Sequence, residues 1–179
     1  MTTVRESGRQ VTIRHADRPG DLGWVVMTHG ELYDREFGWN ADFEALVARI
    51  VADYAVDRDP DREAAWVAEV DGERAGCVFL VRGDRPGDAK LRILLVDPSA
   101  RGLGLGTRLV RTCLDFARAA GYERVTLWTN DVLVSARRIY ESFGFVLGEE
   151  ERHRSFGPEL VGQYWALDLA ALEARDVPG

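Results

Sequence analysis

The feature that most constrains this chain is the stretch at residues 91–120. An apolar run (Leu91, Ile93, Leu94, Leu95, Val96) breaks at Asp97-Pro98, passes through Arg101-Gly102-Leu103-Gly104-Leu105-Gly106, and gives way to a helical pattern. Proline ends a ladder and glycine frees the backbone, so a buried strand hands the chain to a glycine-rich turn and then to a helix start. The first N–H groups of a helix have no intrahelical partner and carry the positive end of its dipole. The stretch therefore predicts an anion cradle, with glycines that let a phosphate approach the main chain.

Spacing separates the loops that build such a cradle. A Walker A loop needs Lys and then Ser or Thr after its last glycine, but Gly106 is followed by Thr107 and Arg108. A dinucleotide fingerprint needs G-x-G-x-x-G directly after the strand, whereas these glycines fall as G-x-G-x-G behind an Asp-Pro-Ser-Ala-Arg connector. The pattern (Gln/Arg)-x-x-Gly-x-(Gly/Ala) does fit, with Arg101, Gly104 and Gly106 in its fixed places. Further on, Ala136-Arg137-Arg138-Ile139-Tyr140-Glu141-Ser142-Phe143-Gly144-Phe145 follows A-x-x-x-Y-x-x-x-G-F.

On these two motifs, in this order, the chain resembles the GNAT N-acetyltransferases over residues 11–168. The resemblance implies an α/β fold: a central mixed sheet of about seven strands with one splayed parallel pair, and about four helices. It implies acetyl-CoA as cosubstrate, an amine acceptor and no metal. In that family the loop holds the pyrophosphate. Here the main chain of Gly102, Leu103, Gly104, Leu105, Gly106 and Thr107 would do so, with Arg101 adding charge. Main-chain groups of Leu95 and Val96 would bind the pantetheine amides where the parallel strands part. Asn130 is either a further pantetheine contact or a turn residue at a strand end.

Ala136 and Tyr140 would face the cofactor, Tyr140 as hydrogen-bond donor to the leaving thiolate. Ala136, Ile139, Tyr140 and Phe143 also form a helical stripe, so a core aromatic is the competing reading of Tyr140. Two departures matter. The family's Asn seven residues before the tyrosine is Leu133 here, and the central strand reads Lys90-Leu91-Arg92-Ile93-Leu94, without the carboxylate that many relatives carry. A water chain or an acceptor-side carboxylate must then remove the amine's proton. Glu31, Glu36 and Glu69 are available, and Glu36 and Glu69 are the expected catalytic candidates.

The segment from His29 to Trp39 is rich in aromatics and carboxylates, which suits either a cationic amine or an ordinary helix connection. Together with the loop His153-Arg154-Ser155-Phe156-Gly157-Pro158 and the strand end at Asn130, it resembles acetyltransferase domains that elsewhere follow a MarR-type winged helix. About ten residues precede the first expected strand, so a domain without that DNA-binding module is expected.

Elsewhere along the chain, Asp21 stands after Pro19-Gly20 where it can cap a helix, Asp71-Gly72 favours a hairpin turn, and Leu105, Leu109, Cys113, Leu114 and Ala117 give the helix after the glycine loop a core face. Composition narrows the rest. The 179 residues predict one domain, with residues 1–10 and 170–179 as loose ends. A net charge of −7 argues against nucleic-acid and anionic-membrane partners. Cys77 and Cys113 lie in apolar patterns without metal-type spacing to histidine, as buried thiols of a cytoplasmic protein would. Neither has a histidine partner apparent in sequence, so direct attack in a ternary complex is expected, with acetyl-CoA and an amine bound together. Relatives often dimerise, which adds a homodimer to the expectations. A non-catalytic acyl-CoA binding or sensing module remains the alternative. A nicotinamide-dependent oxidoreductase would need a second βαβ unit, which the sequence lacks.

Overall fold

The computed structural model describes residues 1–6 and 8–173. In chain order its elements are β1 (Thr2–Glu6), β2 (Arg9–His15), α1 (Asp21–Phe37), α2 (Ala41–Asp57), β3 (Ala64–Val70), β4 (Glu73–Arg82), β5 (Asp88–Val96), α3 (Leu105–Ala119), β6 (Arg124–Asn130), α4 (Val134–Phe143), β7 (Val146–His153), β8 (Leu160–Asp168) and α5 (Leu169–Glu173). All the strands join one mixed sheet in the order β1-β2-β3-β4-β5-β6-β8-β7. Among the described residues only β5 and β6 run parallel, joined through α3; every other neighbouring pair is antiparallel.

Local chemistry sets most boundaries. Asn40 caps α2 by accepting a hydrogen bond from the Asp42 N–H at 3.0 Å. Asp71 and Gly72 both take positive φ (52° and 87°), the turn that matches the twist of the β3–β4 hairpin. The predicted core face of α3 is buried at Leu105, Leu109, Cys113, Leu114 and Ala117, and α3 and α4 cover one side of the sheet. On the other side α1 and α2 bury Val25, Leu32, Phe43, Val47 and Val51 against Phe79 and Leu95.

Three features differ from the sequence reading. Residues 2–6 form an edge strand, with Thr2 opposite Ile13 and Val4 opposite Val11, although their polar composition predicts a loose end. Main-chain pairing needs no apolar face, so an exposed edge strand leaves little trace in hydropathy. A short helix at Leu169–Glu173 occupies part of the expected C-terminal tail, and residues 174–179 lie outside the described residues. With these two end elements the described residues form eight strands and five α-helices, against the expected count of about seven and four.

Third, Asp21 does not cap α1; Gly20 stands at that position. The Asp21 carboxylate instead takes a bidentate bond from Arg14 (2.7 and 3.0 Å), one from Arg74 Nε (2.8 Å) and one from the Arg18 N–H (3.0 Å). Arg14 also donates to Glu69 at 2.7 Å. Burial by itself would raise the Asp21 carboxyl, but the bonds from Arg14, Arg18 and Arg74 outweigh it and bring the group down to about 2. This network fastens the start of α1 to β2, β3 and β4.

His29, at the centre of α1, is 1% exposed. Its Nδ1–H donates to the Val25 carbonyl at 2.7 Å, which fixes the neutral tautomer, and burial pushes the imidazole down to about 4.

Two stability predictions follow from these groups. Asp21→Asn removes the buried carboxylate that Arg14 and Arg74 share, leaving Arg14 with Glu69 alone, and should cost about 3 kcal/mol, lowering Tm by roughly 10 °C in thermal melts at pH 7. Both Asp21 and His29 have folded values below their ordinary ones, so each contributes most at higher pH and loses its contribution on acidification. The His29 contribution, about 3 kcal/mol, is complete above pH ~6.5 and lost as the pH falls toward ~4; that of Asp21 is lost only as the pH falls from ~4 toward ~2. His29→Phe should therefore flatten the decline of Tm between pH 6.5 and 4, and equal slopes in variant and wild type would contradict the linkage.

Candidate active site

The central strand carries an irregularity that shapes everything around it. Phe79 of β4 lies opposite Arg92, but Cys77 lies opposite Leu95, so β5 spends one residue more than β4 over the same span. The surplus is absorbed at Ile93, which has φ 47°, a left-handed conformation that a β-branched residue adopts only under constraint. Pairing between β5 and β6 runs from Asp88 opposite Arg124 to Leu91 opposite Leu127 and stops there. Beyond it the two parallel strands diverge, and no β6 residue pairs with residues 92–96.

A cleft of about 720 Å³ follows this gap, with walls from β5, β6 and β8. Such a volume suits a small-molecule site. Ala136 and Tyr140 line it on the α3–α4 side of the sheet, Tyr33, Trp39, Phe43 and Leu133 on the α1–α2 side, and His29 and Asn130 border it as well.

At the end of β5, a turn of 3-10 helix (Pro98–Ala100) leads into the glycine loop. Gly102 (φ 83°) and Gly104 (φ 67°) hold left-handed conformations, and a methyl added at Gly104 would meet only open space. Gly104 stands at the N-cap of α3 with no side-chain cap, and the first intrahelical bond runs from the Arg108 N–H to the Gly104 carbonyl. The N–H groups of Leu105, Gly106 and Thr107 thus lack helical partners, while the side chains of Leu103 and Leu105 are core. At Gly106 the packing is close: an added Cβ would lie 2.6 Å from Ile139 Cδ1, so the end of the Ile139 side chain would have to turn aside for α3 and α4 to meet as they do.

Tyr140 combines both of its sequence readings. Its ring is core, 4% exposed and packed near Phe145, yet its hydroxyl forms no hydrogen bond with any described residue while the side chain lines the cleft. Burial, then the nearby Tyr33 and Cys113, raise its pKa, so the phenol stays protonated at neutral pH. Tyr33, held from α1, reaches the gap from the opposite face and donates to the Leu94 carbonyl at 3.5 Å. Sequence reasoning placed Tyr33 only in an aromatic-rich segment; that α1 lies across the splay is a tertiary fact.

The other expected residues divide. Leu95 is core on the α1–α2 side and Val96 packs toward α3, both on the part of β5 that pairs with β4 but not with β6. Asn130 is buried and its Oδ1 accepts from His153 Nε2 at 2.7 Å, which locks the β7–β8 hairpin to the strand end. Arg101 pairs with Glu36 of α1, beside the loop. Neither Glu36 nor Glu69 is among the cleft-lining residues, and Glu69 is engaged by Arg14 and Arg18. The carboxylates that do line the cleft are Asp84, Asp88 and Glu149; Lys90 binds the first and Arg124 the second. The aromatics of the 29–39 segment pack mainly on one another, with Tyr33–Trp39 and Trp39–Phe43 ring centroids 5.2 and 4.7 Å apart. Both cysteines are buried free thiols whose pKa values burial raises, so neither is a ready thiolate nucleophile. Among the described residues no group of three or more His, Cys, Asp or Glu could hold a metal ion, and no helix is long and apolar enough to cross a membrane.

Comparison with known proteins agrees with this geometry. Residues 26–145 match the model of the Acetyltransferase (GNAT) family. An uncharacterised N-acetyltransferase of Schizosaccharomyces pombe is 30% identical over 89% of this chain and 96% of its own length. The probable N-acetyltransferase camello of Xenopus tropicalis is 32% identical over 75% of this chain, which spans 62% of that protein. A Salmonella typhimurium protein described as an acetyltransferase and solved with acetyl-CoA superposes with a TM-score of 0.69 at 20% identity, covering 89% of this chain and 94% of that one. A glycine-framed helix start at the foot of two diverging parallel strands, matched by the family model over most of the sequence, makes this chain a member of the GNAT acetyltransferase family.

Proposed function

We propose that this chain moves the acetyl group of acetyl-CoA to a primary amine of a small molecule or peptide by direct attack, with both substrates bound in the cleft. The observation that carries this reading is that the uncapped N–H groups at the α3 start lie against Val96 at the end of β5 and Ile139 of α4, next to the cleft that the unpartnered Tyr140 side chain lines. The diphosphate suits those N–H groups, and the main chain of residues 93–96, which has no β6 partner, suits the amides of a pantetheine arm threaded between β5 and β6.

The neutral amine nitrogen attacks the thioester carbonyl, the C–N bond forms, and the C–S bond breaks as the oxyanion collapses. Tyr140 donates a hydrogen bond, and then its proton, to the departing sulfur. A phenol whose pKa is raised by burial stays protonated until the sulfur takes its proton, and the resulting phenolate is reprotonated by the proton that the newly acylated nitrogen sheds, carried by water in the cleft. An alkylammonium of pKa ~10.4 costs roughly 4.6 kcal/mol to deprotonate at pH 7. Glu36 is tied to Arg101 and Glu69 to Arg14, so we assign that proton to water in the cleft, not to either carboxylate.

Two variants separate chemistry from cofactor binding. Tyr140→Phe should lower kcat for CoA release over an amine panel by about 10–100-fold and leave acetyl-CoA affinity within about two-fold. Gly104→Ala projects a methyl into open space at the loop, and should weaken acetyl-CoA binding at least about ten-fold in calorimetry while the fold bears only about 1–2 kcal/mol of backbone strain. Tight acetyl-CoA binding with no turnover of any amine would identify a sensing module instead.

A further inference from the structure

One part of the cleft is unexplained by the Tyr140 site: the end that runs back along β5 toward Asp88. Alternation along β5 sends Ala89 and Leu91 into the core beneath α3, so Asp88, Lys90 and Arg92 face the α2 side. Two of these three are already satisfied. Lys90 Nζ donates to both oxygens of Asp84 (2.9 and 3.0 Å), and the Asp88 carboxylate accepts from Arg124 Nη2 and Nε (2.6 and 3.2 Å).

Arg92 is the exception. It is half-buried and borders the cleft, yet it forms no hydrogen bond or ion pair with any described residue. Burial lowers its pKa, with only partial compensation through space from Asp84 and Asp53. A guanidinium carries five donors in a planar fork, and withdrawing it from water without an acceptor is costly. The arrangement makes sense when a planar anion supplies the missing acceptors. The surrounding wall is apolar and open: Trp128, Val146 and Tyr164 all line the cleft with 36–69% of their surface exposed.

We propose that Arg92 binds a carboxylate of the acceptor, so that the amine substrate is a small amino acid or amino-acid-like compound with an apolar side group. This rests on acetyl transfer taking place in this cleft. The acidic overall composition suggests a cationic acceptor; the local chemistry at the strand selects an anionic one. The guanidinium stands on the strand where the resemblance leads one to look for a catalytic carboxylate, which assigns that position to recognition. Arg92 is in this sense a specificity residue, remote from proton transfer.

The test compares α-amino acids with their carboxamides as acceptors, using wild type, Arg92→Gln and Arg92→Lys. Wild type should favour the acids by about ten-fold or more in kcat/KM, and Arg92→Gln should erase that preference chiefly through KM, with Arg92→Lys intermediate and acetyl-CoA affinity unchanged. Carboxamides accepted as well as acids by wild type, or an equal loss on both by Arg92→Gln, would overturn the proposal. A binding arm needs no turnover: calorimetry of N-acetyl amino acids and their amides on the CoA-loaded protein. If no amine is acetylated, the transferase reading fails, and this arm still decides. Tighter binding of the acids to wild type, lost in Arg92→Gln, supports the carboxylate site; absent or indiscriminate binding overturns it.

Discussion

Everything at the cleft depends on one surplus residue in β5. Because Ile93 bulges out of register with β4, the strand turns away from β6 after Leu91, and a continuous sheet becomes a sheet with a slot. The slot strands main-chain groups that the ladder would otherwise satisfy. Buried backbone polar groups rarely go unpaired, so under the proposed reading the slot suits a ligand with amide groups. A β-branched residue at φ 47° is locally unfavourable by about 1–3 kcal/mol. Its surroundings hold it there: Cys77 Sγ donates to the Ile93 carbonyl, and Leu95 is packed against α1 and α2.

The two faces of the sheet then take separate tasks. On one face α3 brings the glycine turn and α4 brings Tyr140, with Gly106 allowing the two helices to meet. On the other face α1 lies across the gap and brings Tyr33, and the Arg14–Asp21–Glu69 network fixes where α1 begins. Buried ion networks of this kind are weak sources of net stability but strict about geometry. Glu69 therefore shapes the site from a distance by setting the position of a helix. The Arg101–Glu36 pair ties the same helix at its other end to the glycine loop.

Much of this was legible in the sequence because it is local. The break at Asp97-Pro98, the glycine spacing, the A-x-x-x-Y helix and the Asp71-Gly72 turn each depend on residues within one or two turns of one another. What was not legible depends on partners far apart in the chain. Asp21 reads as a helix cap until Arg74 arrives from β4, and Glu36 reads as a free carboxylate until Arg101 arrives from the loop. Isoleucine is a strand former, so nothing at position 93 announces a left-handed residue. The polar first strand was missed for a related reason: edge pairing is written in backbone hydrogen bonds, which composition does not report.

The central claim is that the main chain beside the slot and at the start of α3 receives the cosubstrate. Amide hydrogen exchange with and without acetyl-CoA reads those groups directly. Peptides covering residues 92–97 and 102–108 should slow by about ten-fold or more on saturation with acetyl-CoA, while the β1–β2 edge stays unchanged. Binding that leaves both segments exchanging at their free rates, or that protects only a distant surface, would contradict the account.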